Sequence, residues 1–331
     1  MAKVLITPNT LVRTEGPHLR LLREAGLEPA YPPRAGLLSE EEIMELLPGA
    51  VAVIAGSEPY TRRVFAAAPT LRVVARAGVG YDAVDLQAAT EHGVAVTITP
   101  GANHEAVAEH TMGFILALAK DLRRQDLATR AGQWPRHASI HLRGQTLGII
   151  GLGRIGKSVA RRAAAFRMRL VAYEPFPDNE FVKELDISLL PFDDVLKQAD
   201  FVTLHVPLSR ESRHLINART LSLMKPTAFL INTARGGLVC ERDLLQALRA
   251  KKLAGAGLDV FENEPARDHP LFQLDNIIVT AHTAGIDRAS LEAMGTDAAR
   301  SIISLLRGEW PEGVVVNAEV RDKFRPLCET T

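Results

Sequence analysis

The sequence predicts an α/β protein of two doubly wound, parallel-sheet domains, the second inserted into the first. Three observations predict this. Short apolar runs alternate with helical patterns through the first hundred residues; a second, longer alternating series starts at Thr146; and a long helical segment lies on each side of that second series. Strands that alternate with helices pair in parallel, because a parallel strand needs a crossover to return, and the helices then cover both sheet faces. At 331 residues the chain also exceeds the usual size of a single core.

In chain order, Lys3 to Thr7 reads as a buried strand and His18 to Ala25 as a helix that turns Leu19, Leu21 and Leu22 inward. Val51 to Ala55, Leu71 to Ala75 and Val94 to Ile98 are the next strands, with helices at Glu40 to Leu47 and Asp85 to His92 between them. Glu105 to Arg124 reads as one amphipathic helix of about five turns, long enough to link domains. Six strands follow: Leu147 to Ile150, Arg169 to Tyr173, Phe201 to Val206, Ala228 to Ile231, Gly255 to Leu258 and Ile277 to Thr280. The last long helix, Arg288 to Arg307, leads into a tail ending soon after Asn317. The expected division is residues 1–100 plus 288–331 for one domain and 101–287 for the inserted one.

Composition excludes several classes of function. Hydrophobic residues at 47 % and charged residues at 24 % are globular values, so disorder is excluded. Lys+Arg 39 balances Asp+Glu 39, which gives no electrostatic reason to expect nucleic acid or an anionic membrane as partner. The longest apolar stretch, near Met112 to Ala119, is too short to span a bilayer, and Met1 to Thr7 lacks the pattern of a signal peptide. With only Cys240 and Cys328, a reducing, cytoplasmic setting is expected.

Gly151-Leu152-Gly153-Arg154-Ile155-Gly156 matches G-x-G-x-x-G in the context that gives the pattern meaning, after an apolar strand and at the opening of a helix. Gly151 permits the tight turn, Gly153 lets a pyrophosphate approach bare backbone, and Gly156 permits close helix–strand packing. The helix N-terminus then offers N–H groups and a positive dipole to phosphate. Glu174 ends the next strand at the spacing where a carboxylate binds ribose hydroxyls. A carboxylate there repels a 2′-phosphate, and neither Pro175 nor Phe176 could capture one, so NAD is expected rather than NADP. The inserted domain is therefore expected to be a Rossmann NAD-binding domain.

Three later segments carry the reactive side chains: Asn232 to Gly237, Gly257 to Pro265 and Thr280 to Gly285. All would project from the carboxyl ends of strands, where open parallel sheets bind ligands. Arg235 supplies a planar, permanently charged donor suited to gripping a carboxylate and polarising a ketone. His282 is suited to exchanging a proton near neutrality, and a paired Glu264 favours its imidazolium form. Each alone reads as readily as a surface or packing residue. Their joint occurrence after successive strands makes a site.

Together with His205-Val206-Pro207-Leu208, these segments resemble the D-specific 2-hydroxyacid dehydrogenase family, and the likeness covers nearly the whole chain. The resemblance implies Arg235, Glu264 and His282 as the catalytic trio, and Arg154, Ile155, Glu174, Val206, Pro207, Thr233 and Asp259 as cofactor contacts beside the three glycines. It implies a flavodoxin-like substrate domain in which Arg76-Ala77-Gly78-Val79-Gly80 forms the substrate loop, with backbone N–H groups near Val79 and Gly80 receiving the substrate carboxylate. Asn103 also fits the pattern. The implied activity is NAD-dependent interconversion of a small D-2-hydroxy acid and its 2-oxo acid, with no metal and a homodimeric assembly through the long helix and the Trp134 segment.

Within the family, Arg76 to Gly80 and Gly132-Gln133-Trp134-Pro135-Arg136 lean toward phosphoglycerate dehydrogenases of the short form. Gly56-Ser57-Glu58-Pro59-Tyr60 departs from that pattern, since a carboxylate stands where phosphate-handling members present a basic residue, although Arg76 and Arg136 could still attract phosphate. A glyoxylate- or hydroxypyruvate-type reductase, or a non-catalytic NAD-sensing module, are the alternatives. Cys240 replaces the usual aspartate after the Gly-Gly segment, which leaves that helix without a side-chain cap; its thiol reads as packed and inert.

Overall fold

In the computed structural model, which describes residues 1–327, the chain folds as two compact units. Residues 1–103 with those from 286 onward form the first, and His104–Gly285 the second, inserted one. Cys328 lies outside the described residues.

The first unit holds five parallel strands, β1 (Ala2–Ile6), β2 (Leu27–Ala30), β3 (Ala50–Ala55), β4 (Val73–Arg76) and β5 (Ala95–Thr97), in the order β2-β1-β3-β4-β5. This is the doubly wound order of flavodoxin-like sheets. The central strands are buried on both faces, with Val4, Ile6, Ile54 and Ala75 in one apolar layer and Leu5, Val53, Ala55 and Val74 in the other. β2 departs from the expected element list. Its sequence, Leu-Glu-Pro-Ala, carries no strand pattern, and Pro29 is tolerated because β2 is an edge strand. Local caps set the helix starts: Ser39 and Glu42 form a reciprocal capping box for Glu40–Leu46, and Asp85 accepts from Ala88 N at 2.9 Å to open Leu86–Glu91.

The chain returns to this unit through the helix Arg288–Leu306, opened by Asp287, which packs on the helix Pro17–Glu24 and on β3 and β4. The following tail is pinned at β5 by Asn317. Fully buried, Asn317 accepts from Val96 N at 2.9 Å and donates to Val94 O and Thr90 Oγ1, each at 3.0 Å.

The inserted unit holds seven parallel strands: β6 (Thr146–Ile150), β7 (Arg169–Tyr173), β8 (Ser188–Leu189), β9 (Phe201–Leu204), β10 (Phe229–Asn232), β11 (Gly255–Leu258) and β12 (Ile277–Val279). Their order, β12-β11-β10-β9-β6-β7-β8, is that of a Rossmann sheet extended by one strand. The winding reverses between β6 and β9, so the turns after those strands flank the switch point. The seventh strand, β8, escapes a sequence reading because it is two exposed residues at an edge.

The expected five-turn helix is corrected to a helix His104–Ala119 and a separate helix Leu122–Arg130. The break falls at Asp121, whose φ is 51°, where the apolar run ends and Lys120 turns aside to donate to Ile140 O at 2.8 Å. The first helix buries Ala108, Met112 and Ile115; the second buries no residue at all. No helix among the described residues is long and apolar enough to cross a membrane.

Asn317→Ala is expected to destabilise the protein by about 2 kcal/mol, because it strands a buried N–H and carbonyl at β5 without partners. Urea denaturation of the two proteins checks this, and equal midpoints would refute the pinning role.

Candidate active site

The glycine-rich turn after β6 shows three separate steric demands. Gly151 has φ +98°, and a Cβ there would lie 2.7 Å from His205 O, so the turn passes hard against the segment leaving β9. A Cβ on Gly156 would lie 2.0 Å from Gly151 O, which fixes the helix Arg154–Ala165 directly on the turn. A Cβ on Gly153 would meet nothing within 4 Å. The open space lies over bare backbone at a helix N-terminus, which suits a pyrophosphate. Arg154 is exposed and Ile155 half-buried at the same helix start.

Glu174, just past β7, points back at this turn. Its carboxylate accepts from Leu152 N at 2.8 Å and from Phe176 N at 3.0 Å, which holds it beside the glycines. On the other side of the switch point, Val206 is half-buried and Pro207 exposed, and His205 N donates to Ile150 O at 2.7 Å. The His205 ring bonds Thr203 Oγ1 at 3.0 Å, and burial lowers its pKa from 6.5 to about 3. Glycines, helix dipole and Glu174 thus fit the two phosphates and adenosine ribose of NAD.

The candidate reactive groups come from three neighbouring strand ends. After β10, buried Asn232 donates to Arg235 O at 2.8 Å and accepts from Ala234 N at 3.1 Å, so it shapes the turn that presents Arg235. Gly236 follows, and a Cβ there would fall 1.9 Å from the Phe261 carbonyl carbon. That contact sets the Arg235 turn against the segment after β11, which carries Glu264. Phe261 N donates to Glu264 Oε1 at 2.9 Å, and His282 Nδ1 lies 2.7 Å from Glu264 Oε2. Burial pushes the Glu264 carboxyl up, but the His282 hydrogen bond and charge, the Phe261 N–H and the Arg235 charge outweigh it and hold the carboxyl below its ordinary value.

His282 itself is held by Asp259, which is 1 % exposed. The Asp259 carboxylate accepts from Thr280 Oγ1 at 2.5 Å, Thr283 N at 2.8 Å and Ala284 N at 2.9 Å, while its backbone carbonyl accepts from His282 N at 2.7 Å. His282 takes φ 54°, a left-handed conformation that a non-glycine residue keeps only when its surroundings enforce it. Asp259 therefore turns inward to the loop of His282, and Thr233 is buried against Thr111, Oγ1 to Oγ1 at 2.9 Å. Cys240 opens the helix Glu241–Arg249 without a side-chain cap, and burial raises its thiol pKa.

The first unit holds the remaining expected residues. Arg76, at the end of β4, is 8 % exposed and donates from Nε to Gly80 O at 2.9 Å, which closes the loop containing Val79. Glu58 is 2 % exposed; burial raises its pKa against the opposing charge of Arg76. Asn103 closes the first stretch of this unit. Asn232 and Thr280 enter the sequence reading only as end residues of segments, and His110 and Thr111 carry no role there. The signal for the last two was there: the polar run Glu109 to Thr111 interrupts the apolar sequence of the helix.

A Rossmann sheet with a phosphate-fitting turn, a buttressed imidazole and a nearby guanidinium defines a dinucleotide-dependent oxidoreductase. The family model of the D-isomer specific 2-hydroxyacid dehydrogenase NAD binding domain matches residues 112–284. A D-3-phosphoglycerate dehydrogenase of Methanocaldococcus jannaschii is 43 % identical over 282 residues, 84 % of this chain and 54 % of that protein, so the chain spans about half the relative's length. A glyoxylate reductase of Pyrococcus furiosus is 42 % identical over 273 residues, 80 % of this chain and 81 % of the relative. Among solved structures, a Thermus thermophilus protein superposes with a TM-score of 0.86 at 39 % identity, covering 95 % of this chain and 100 % of that one. The D-lactate dehydrogenase of Aquifex aeolicus in complex with NAD and lactic acid gives 0.83 at 30 % identity, covering 95 % and 99 %. The chain belongs to the D-isomer specific 2-hydroxyacid dehydrogenase family, and its cofactor is NAD.

The two glycines should separate folding from binding. Gly156→Ala should cost about 2 kcal/mol or more through overpacking, whereas Gly153→Ala should leave the melting temperature unchanged and weaken NADH binding by at least about tenfold. Thermal melts and NADH fluorescence titrations measure both; equal losses of stability would defeat the assignment. His205 should give an acid-labile term. The folded ring stays neutral down to about 3 while the unfolded chain takes up a proton below 6.5, so stability is lost as pH falls through that window. Urea midpoints against pH should show that slope in the wild type and a flatter one in His205→Gln.

Proposed function

We propose that the protein interconverts a short, unphosphorylated D-2-hydroxy acid and its 2-oxo acid, with glyoxylate and hydroxypyruvate as the representative oxo acids. The observation that carries the chemistry is the 2.7 Å contact between His282 Nδ1 and Glu264, made on a carboxylate that also feels the charge of Arg235. With Nδ1 held by Glu264, Nε2 of His282 is the atom left to exchange a proton with the substrate oxygen. Glu264 orients the ring and balances the imidazolium as it forms. Arg235 binds the substrate carboxylate and polarises its ketone. Bound NADH supplies the hydride to the oxo carbon.

The lack of a phosphate on the substrate is supported by the first unit. Arg76 is buried with its Nε on Gly80 O, and the acidic Glu58 is buried in its field. These residues give the 56–60 and 76–80 loops no solvent-facing cation for a phosphoryl group. Phosphoglycerate oxidation is the second reading, favoured by the Methanocaldococcus relative's name. Cytoplasmic localisation and a homodimeric assembly belong to the same proposal. The assembly is supported by Leu122 and Leu127, each 53 % exposed, and Trp134, 81 % exposed, on one segment of the inserted unit.

NADH oxidation should proceed with glyoxylate or hydroxypyruvate, and His282→Ala should reduce kcat by about a thousandfold. NAD reduction with 3-phosphoglycerate should be negligible beside that with glycerate. Tight NADH binding without turnover on any oxo acid would instead identify a sensor, and preferred turnover of 3-phosphoglycerate would establish the second reading.

A further inference from the structure

The helix His104–Ala119 brings one polar group against the loop of His282. His110 Nε2 lies 3.0 Å from Thr280 Oγ1, and Thr280 Oγ1 donates to Asp259 Oδ1 at 2.5 Å. Asp259 then accepts from Thr283 N and Ala284 N and, through its backbone carbonyl, from His282 N. A hydroxyl has one hydrogen, and an ionised carboxylate accepts only. Thr280 therefore spends its hydrogen on Asp259 and must accept from the ring, so His110 carries a proton on Nε2. The ring is itself braced. It stands edge-on to Phe114, centroids 4.6 Å apart at 87°, and Phe114 fits only because Gly257 has no side chain, a Cβ there meeting Phe114 at 2.8 Å.

We propose that His110 is a positioning residue for the acid–base step: as the Nε2–H tautomer it orients Thr280, and through it the Asp259-bound loop that presents His282. The ring touches neither the reacting atoms nor Glu264. Its contribution is to saturate Thr280, so that the hydroxyl keeps one orientation toward Asp259 and the strained backbone at His282 stays in place. Small displacements of a proton-transferring group cost rate more than binding. Loss of the donor should therefore fall on kcat.

The kinetic arm rests on the oxo-acid reduction proposed above; a structural arm is independent of it. His110→Phe keeps an aromatic ring against Phe114 but removes the donor, while His110→Gln restores an N–H near the place of Nε2. His110→Phe should lower kcat by about tenfold or more with KM for NADH within about twofold, and His110→Gln should recover most of the loss. Thr280→Val should copy His110→Phe, and the double variant should be no slower than either single one. In the structural arm, nitrogen-15 histidine spectra should show His110 as the Nε2–H tautomer, and amide exchange at Thr283 and Ala284 should accelerate in His110→Phe and return in His110→Gln. An Nδ1–H tautomer at His110, or unaltered exchange in His110→Phe, would overturn the proposal. Absence of turnover in the wild type would reject the oxo-acid reading alone, and the spectra and exchange rates would still decide this one.

Discussion

The buried carboxylate of Asp259 is the interaction around which the reactive end of the inserted sheet is organised. A lone ionised carboxylate at 1 % exposure would carry a large desolvation cost, and here four hydrogen bonds from the loop after β12 offset it, the longest from Thr283 Oγ1 at 3.5 Å. The same bonds hold that loop in the one conformation that places His282 at φ 54° with Nδ1 on Glu264. The strain at the histidine is sustained by a buried charge whose hydrogen-bond donors come from the same loop.

Two close backbone approaches extend that order to the rest of the site. Gly236 sets the Arg235 turn against Phe261, and Gly151 sets the phosphate turn against His205. In both places a single methyl group would collide with backbone, so the positions of the guanidinium, the carboxylate and the dinucleotide turn are mutually dependent. The side chains that finish the site are held by polar residues one step removed: buried Asn232 beneath Arg235, half-buried Thr280 beneath His282, and buried Thr111 beside Thr233. Such groups rigidify a site only when every donor and acceptor is matched. The Thr280 hydroxyl illustrates this, because its single hydrogen determines the tautomer required of His110.

Much of this was legible in the sequence, for physical reasons. Alternation of apolar runs and helical patterns requires crossovers, and hence parallel sheets; the glycines of the turn after β6 and Glu174 stand at the spacing a dinucleotide site requires, and the structure brings them together. Arg235, Glu264 and His282 were readable because each follows a strand, and strand ends in such sheets converge on one edge. What the sequence did not carry were β2 and β8, edge strands without a strand pattern, and the break at Asp121, where a helix that reads as continuous stops because its next turns bury nothing. Nor did it carry the inward turn of Asp259 or the parts played by Asn232, His110 and Thr280. These depend on which partners arrive from distant strands. Local sequence determines what each residue can donate, accept or exclude; the packing of the strand ends decides which of those capacities are used.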